Sequence, residues 1–407
     1  MKKRFKILSA IGIAALIAVL LVTLLPVGVS ISSQGFISVS SNVAYASPAL
    51  PTFKAAGVFT QGNSTITPPY PVAPNAPVAN DIAILVCESE NEPISLTTAQ
   101  GFVELGAQAN KAAGTAVIDP ASRLAVYWKR CVGGDTAPVV ADSGNHTTGR
   151  IYLFSGVKTS GNPWNVYAEG NDGGANDLSG VIPGATTTVA DCLIFIICTS
   201  SYNATSTTEF AGWANTDLAN ILERGNNVNS QGLGGGHGSA TGEKANAGAY
   251  GATTVTLAHT SYKGAMSIAL EAVAPSITNS PPGNDFQILS VNTTSATAIN
   301  YFTITNTGNC AVNVTAQGID LTGGDDTWTL SDTATPNTNI YGLMAGLDDA
   351  DDLFDIIVKK STTNTLVTNL GIGLTQSWGL KIYMPTSVVG CDYVPMSATI
   401  TLVASAY

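Results

Sequence analysis

The chain has 407 residues, of which 45% are hydrophobic and only 11% charged, with 41 glycines and a formal net charge of −11. Seventeen basic residues against 28 acidic ones argue against nucleic acid as a partner, because phosphate binding needs clustered Lys and Arg. Abundant Gly, Thr, Ser, Ala and Asn in place of charge suit an exported β protein with a polar, uncharged surface better than a cytosolic enzyme.

Residues 1–46 set the compartment. Lys2, Lys3, Arg4 and Lys6 precede an uncharged apolar run from Ile7 to Val29, and a small-residue Ala44-Tyr45-Ala46 site follows, which is a secretory leader pattern. Cleavage after Ala46 is expected. The run approaches the roughly 20 residues that span a bilayer, so an uncleaved membrane anchor is the alternative. Losing the leader's four basic residues takes the net charge from −11 to −15. Such acidity keeps an exported protein soluble or offers carboxylates to divalent cations.

Residues 47–77 are punctuated by Pro68, Pro69, Pro71, Pro74 and Pro77 and read as a stalk or an entry strand, since proline lacks the amide donor and holds its neighbour extended. A β-sandwich domain is expected over 78–273. Its first strand, 81–87, is a continuous apolar run bounded by polar residues, as for a strand covered on both faces. Residues 101–106, 123–131, 149–154 and 191–198 supply further β runs, and 253–257 with 264–273 close the domain. Between them, 216–224 is the helix candidate, and the glycine-interrupted region 225–251 reads as a long mobile loop.

Pro and Gly concentrate in a linker at 274–284. In the last domain, 285–407, apolar and polar residues alternate on either side of Asn306-Thr307-Gly308-Asn309, a hairpin signature. Further short strands at 328–330, 355–359, 378–383 and 397–404 argue an immunoglobulin-like sandwich. The fold class expected is all-β, with two tandem sandwich domains, jelly-roll-like and then Ig-like, after the apolar leader.

The order of an Asp-led strand at Asp81, a glycine-aromatic step from Gly101-Phe102 to Leu105-Gly106, the strand Leu124 to Trp128, the Gly156-Val157 step and a final small-residue strand resembles β-sandwich domains of phage structural and bacterial surface proteins. That likeness covers about residues 50–274. The Asn306 to Asn309 turn and the run Leu380 to Thr386 resemble small Ig-like domains of prokaryotic cell-surface proteins. The resemblance implies display or attachment, and it carries no catalytic residues to transfer.

Six cysteines, Cys87, Cys131, Cys192, Cys198, Cys310 and Cys391, favour disulfides in an exported chain. Cys310 and Cys391 are expected to pair, being the two beyond the linker. Cys192 and Cys198 stand about 20 Å apart on one extended strand, so each must find Cys87 or Cys131 or stay a buried thiol. His146, His237 and His259 are dispersed and no Cys-x-x-Cys occurs, which leaves a locally spaced zinc site without support. Sequons at Asn63, Asn145, Asn203, Asn292 and Asn313 are glycosylation candidates.

Asp348, Asp349, Asp351, Asp352 and Asp355 form the densest charge cluster, suited to Ca²⁺ though commoner as an exposed acidic loop; no other cofactor is expected. Glu88, Glu90 and Glu92 alternate as a glycosidase pair would, but Pro93 favours solvated loop residues. Trp164, Trp213 and Tyr250 are candidates for stacking on sugars. The function expected is an exported, non-enzymatic structural or adhesive protein of a cell surface or extracellular assembly, self-associating or holding a surface polymer. The alternatives are a secreted glycan-binding module and a secreted jelly-roll hydrolase. The terminal strand from Ala398 onward contains neither charge nor Pro, so it either pairs within its own sandwich or adds to a neighbour's edge.

Overall fold

The computed structural model describes residues 37–45, 48–90, 92–105, 111–113, 122–142, 144, 146–287, 289–351, 353–389 and 395–407. The leader run before Ile37 and the cleavage residue Ala46 lie outside them. Among the described residues the chain is all-β, and its one helical element is the short 3-10 turn Asp172–Gly174. Two compact units divide it: one is continuous, Pro48–Val273, and the other joins the N-terminal strand to Ala274–Tyr407.

Pro48–Val273 is a stack of sheets. Its seven-stranded sheet has the spine Thr52–Ala56, Thr147–Ser155, Ile82–Ser89, Ser122–Arg130, Val103–Glu104. A five-stranded sheet runs Trp164–Gly170, Ala265–Leu270, Cys192–Ser200, Gly235–Lys244, Ala219–Asn229. Ile82, Ile84 and Val86 of the first meet Phe195, Ile197 and Ile268 of the second in the inner core. The other face of the seven-stranded sheet, with Leu85, Cys87 and Leu153, is closed by Ile66 and Val140 from a three-stranded sheet. The other face of the five-stranded sheet, with Ile194, Ile196 and Cys198, is closed by Ile182, Phe210 and Val255 from a second three-stranded sheet. Both central sheets are therefore covered on both sides, which is why Ile82–Ser89 and Cys192–Ser200 are apolar runs buried at every residue.

The proline-punctuated arm enters the sheets as strands, the second of its two readings: Thr52–Ala56 and Thr60–Gly62 pair with Thr147–Ser155, and Thr65–Ile66 pairs with Val139–Ala141. Two stretches differ from their sequence reading. The helix expected over 216–224 is a strand, Ala219–Asn229, paired along Gly235–Lys244. A nine-residue helix repays its costly nucleus poorly, and the neighbouring ladder offers the backbone a full set of partners. The glycine-rich stretch is likewise no loop, because Gly235–Lys244 lies between Cys192–Ser200 and Ala219–Asn229 with eight of its ten residues buried.

In the other unit a 13-stranded sheet follows the path Ile277–Ser280, Phe302–Asn306, Thr375–Tyr383, Ile340–Leu347, Asp326–Leu330, Leu321–Gly323, Met396–Ala406, Ile37–Tyr45, Gly283–Asp285. The two ends of that path are neighbours in sequence, so the sheet folds back nearly onto itself around Phe302, Leu343, Trp378, Ile400 and Leu402. The 274–284 linker thus supplies strands. Trp378 is fully buried, stacks on Phe302 at 4.7 Å and donates its indole N–H to Asn279 Oδ1 at 2.9 Å. The expected hairpin at Asn306 to Asn309 is not formed: Phe302–Asn306 pairs with Thr375–Tyr383, whereas Val312–Gly318 pairs with Met396–Ala406. Both strands alternate buried and half-buried residues, so the turn is an arch between two walls of one core. Asn306 braces it by donating to the carbonyls of Cys310 and Leu370, both at 2.8 Å.

The N-terminal strand Ile37–Tyr45 falls where the sequence places the end of the leader. It pairs in parallel with Met396–Ala406 over nine positions, from Ile37 opposite Met396 to Tyr45 opposite Ala404, and antiparallel with Gly283–Asp285. Ile37 and Val39 are buried. Ala44, one of the small residues that suggest a processing site, stands opposite Val403 in this ladder. Cleavage after Ala46 would remove the strand.

Candidate functional site

All three histidines lie in the Pro48–Val273 unit, each bonded to a polar partner. Glu88 follows Ile84 and Val86 in alternation on Ile82–Ser89, so its carboxylate faces the inner core. His146 Nε2 lies 3.2 and 3.1 Å from its two oxygens, Ser122 Oγ donates at 3.2 Å and Thr148 Oγ1 at 3.3 Å. Ser122 also donates to Thr199 Oγ1 at 2.6 Å, and that hydroxyl receives the Gly264 N–H at 2.7 Å. Glu88, His146, Ser122, Thr148 and Thr199 are all fully buried. Burial pushes the Glu88 carboxyl up, against the pull of His146 and the hydroxyls. Burial would lower the His146 imidazole, but the charge and hydrogen bond of Glu88 hold it above its ordinary value. Gly235 seals the pair: a Cβ there would sit 2.5 Å from Glu88 Oε1 and 2.7 Å from His146 Nε2. The arrangement is a closed polar brace between strands, with no room for a reacting molecule at the carboxylate.

His237, on the glycine-rich strand, bonds through Nε2 to Tyr152 OH at 3.1 Å and packs against Phe59. Burial, with the nearby positive charge of Arg150, pushes its imidazole down to about 3, so it is neutral in the fold.

The third histidine is placed differently. Glu209 is fully buried and binds His259 Nδ1 at 2.9 Å, while the His259 side chain is 44% exposed. Its ring stacks on Tyr202 at 3.5 Å and 3°. A carboxylate on Nδ1 fixes the ring's orientation, an arrangement shared by triads and metal sites. Here the hydroxyls stand on the carboxylate's side: Ser200 Oγ lies 3.5 Å from Glu209 Oε1 and 2.9 Å from Ser261 Oγ, which receives the Ser201 N–H at 2.6 Å. They brace the base and do not stand before it as nucleophiles.

The sequence candidates fare unevenly. Glu88 and Glu90 are buried rather than solvated, because the chain leaves the strand into a polar end of the core. Asp348, Asp349, Asp351 and Asp355 are exposed, and Asp352 lies outside the described residues. Asp349 raises the Asp351 carboxyl through a hydrogen bond and its like charge. Among the described residues no group of three or more His, Cys, Asp or Glu is gathered to hold a metal ion. Asp172 and Asp177 instead hold the fully buried Lys263, at 3.1 and 2.7 Å.

Among the described residues every cysteine is a buried free thiol. Cys87 and Cys131 sit in the core under the seven-stranded sheet, and Cys192 and Cys198 in the core on the far side of the five-stranded one, too remote to join. Burial pushes the thiols of Cys131, Cys192 and Cys198 up to about 12. Cys310, expected to pair with Cys391, is a free thiol, and Cys391 lies outside the described residues.

Asn63, Asn203 and Asn292 are exposed, Asn313 is half-buried with Oδ1 receiving the Asn369 N–H at 3.0 Å, and Asn145 lies outside the described residues. Tyr250 is buried, Trp164 packs edge-on against Trp128, and Trp213 stacks on Phe210 and donates to Glu223, so none of the three stands as a free sugar platform. Sequence spacing missed the two Glu–His pairs because their members are 58 and 50 residues apart. No family model, curated protein or solved structure matches the chain.

Proposed function

We propose that the chain is an exported structural or adhesive protein of a cell surface or extracellular assembly, without enzymatic turnover, that associates with its own copies through β surfaces. The observation that supports this most directly is the outer face of the three-stranded sheet Asp177–Ile182, Thr253–Ser261, Phe210–Ala214. Ser179, Thr256 and Ala211 form one row across it, and Val181, Thr254 and Ala214 a second. All six are exposed and none is charged. Monomeric β proteins guard exposed sheet edges with charge, and neither row of this outer face supplies any. The apolar run Ile7 to Val29 serves as leader or anchor in this reading; since cleavage after Ala46 takes a strand away, processing upstream of Ile37 or retention is preferred.

Sedimentation and negative-stain microscopy across a concentration series test the reading. Filaments, lattices or discrete oligomers are expected, dispersed by Thr254→Lys with Thr256→Glu. A chain that stays monomeric at high concentration, with and without Ca²⁺, overturns it.

A further inference from the structure

We infer that Ile37–Tyr45 is exchanged between copies: in assembled material it pairs with the Met396–Ala406 strand of a second copy of this chain instead of its own. The inference rests on the self-association reading and names the element that performs it.

Ile37–Tyr45 belongs to the unit that resumes at Ala274, yet its covalent path to that residue runs through the whole of the folded Pro48–Val273 unit. No short loop ties the strand to the sheet it completes. Exchange therefore opens no hairpin turn, and own-chain and partner-chain strands compete for one slot through their effective concentrations.

Ile37–Tyr45 is held from two sides. On one side it makes the nine-position parallel ladder with Met396–Ala406, on the other three pairs with Gly283–Asp285. Ile37 and Val39 are its deeply buried apolar side chains; Ser38, Ser40 and Ser41 fill the rest of the first half. Ser40 Oγ meets Thr399 Oγ1 at 3.2 Å across the ladder, and Ser41 donates to the Pro282 carbonyl at 3.1 Å. Attachment is mostly backbone pairing and small polar contacts. A second copy reproduces all of it without change.

Departure of Ile37–Tyr45 uncovers Met396–Ala406 along that ladder. Met396–Ala406 alternates buried and half-buried residues through nine positions and holds neither charge nor Pro. Stripped of its N-terminal partner it is a bare, adhesive edge that must be filled by a strand of the same pattern. In a row of exchanged copies every such edge but the terminal one is filled, so the row grows by adding copies at its end.

Two single variants, Ser40→Cys and Thr399→Cys, read this out. They are mixed under dissociating conditions, assembled, oxidised and run on a non-reducing gel. Exchange gives a covalent dimer in the mixture that is absent from either variant alone and from the unmodified chain, and that collapses on reduction. Assemblies visible by sedimentation whose mixture remains monomeric on the gel overturn exchange and leave the self-association reading intact; chains that never assemble overturn both. The double variant Ser40→Cys/Thr399→Cys, oxidised as a monomer, is expected to lose assembly and regain it on reduction; assembly of the locked form also overturns exchange. Asn42→Cys and Thr401→Cys, in the same register, replace the first pair if either variant does not fold.

Discussion

A neutral histidine sealed beside an arginine ties stability to pH. His237 has an ordinary value of 6.5 and is pushed down to about 3 in the fold, so below 6.5 the unfolded chain takes up a proton that the native one refuses. Its stability contribution is present above 6.5 and lost at about 1.4 kcal/mol per pH unit as pH falls toward 3. Chemical denaturation between pH 7 and 4 should show that slope in the difference between the unmodified chain and His237→Gln, the variant costing about 1 kcal/mol at pH 7 for the altered Tyr152 bond. Glu88 raises a separate expectation. His146→Ala leaves a buried carboxylate without its main partner and should cost about 3–5 kcal/mol, whereas the joint change with Glu88→Leu should recover much of it. The alternation of Glu88, Glu90 and Glu92 is legible in sequence, but the burial of Glu88 is not, because it depends on a histidine that immediately precedes another strand, Thr147–Ser155.

Among the elements, those covered on both faces were the easiest to read. Ile82–Ser89 and Cys192–Ser200 announce themselves as apolar runs because no face meets water. Gly235–Lys244 carries the opposite pattern for the same position in a sheet: its glycines signal turns locally, yet they stand where neighbours already occupy the Cβ positions. At Gly238 a Cβ would lie 2.4 Å from the Phe210 ring. Gly238→Ala should therefore destabilise the unit by about 3 kcal/mol or more. In a unit of this size that is a fall in Tm on the order of 10 °C. Gly170→Ala meets only ordinary contact with Pro183 at 3.5 Å and should shift the melt by a small fraction of that. Equal effects at the two positions in calorimetry would mean that close approach is not what selects glycine in the strand. The Asn306 to Asn309 arch shows the complementary ambiguity, since alternation gives each strand an inward face but does not say whether its sequence neighbour lies beside it or across the core.

For the whole molecule, sequence reading assumes that a domain is a continuous stretch, and one of the two units here is not. The N-terminal strand reads as the tail of a leader because it runs into the small-residue Ala44-Tyr45-Ala46 site, whose Ala44 is also a member of the ladder. Only its register with Met396–Ala406, more than 350 residues away, separates the two meanings. The consequence is an asymmetry between the units. Residues 48–273 hold all three of their cores within one continuous stretch and should fold alone, with a single cooperative melt. Residues 274–407 lack the strand that covers the uncharged Met396–Ala406 edge and should aggregate when expressed by themselves. A synthetic peptide of residues 37–45, added during refolding, should return them to a soluble species by filling the nine-position ladder in trans. A peptide with Val39→Asp should not, because it places a charge opposite Ala398 in the buried row. Solubility of 274–407 without any peptide would show that the sheet completes itself without the N-terminal strand.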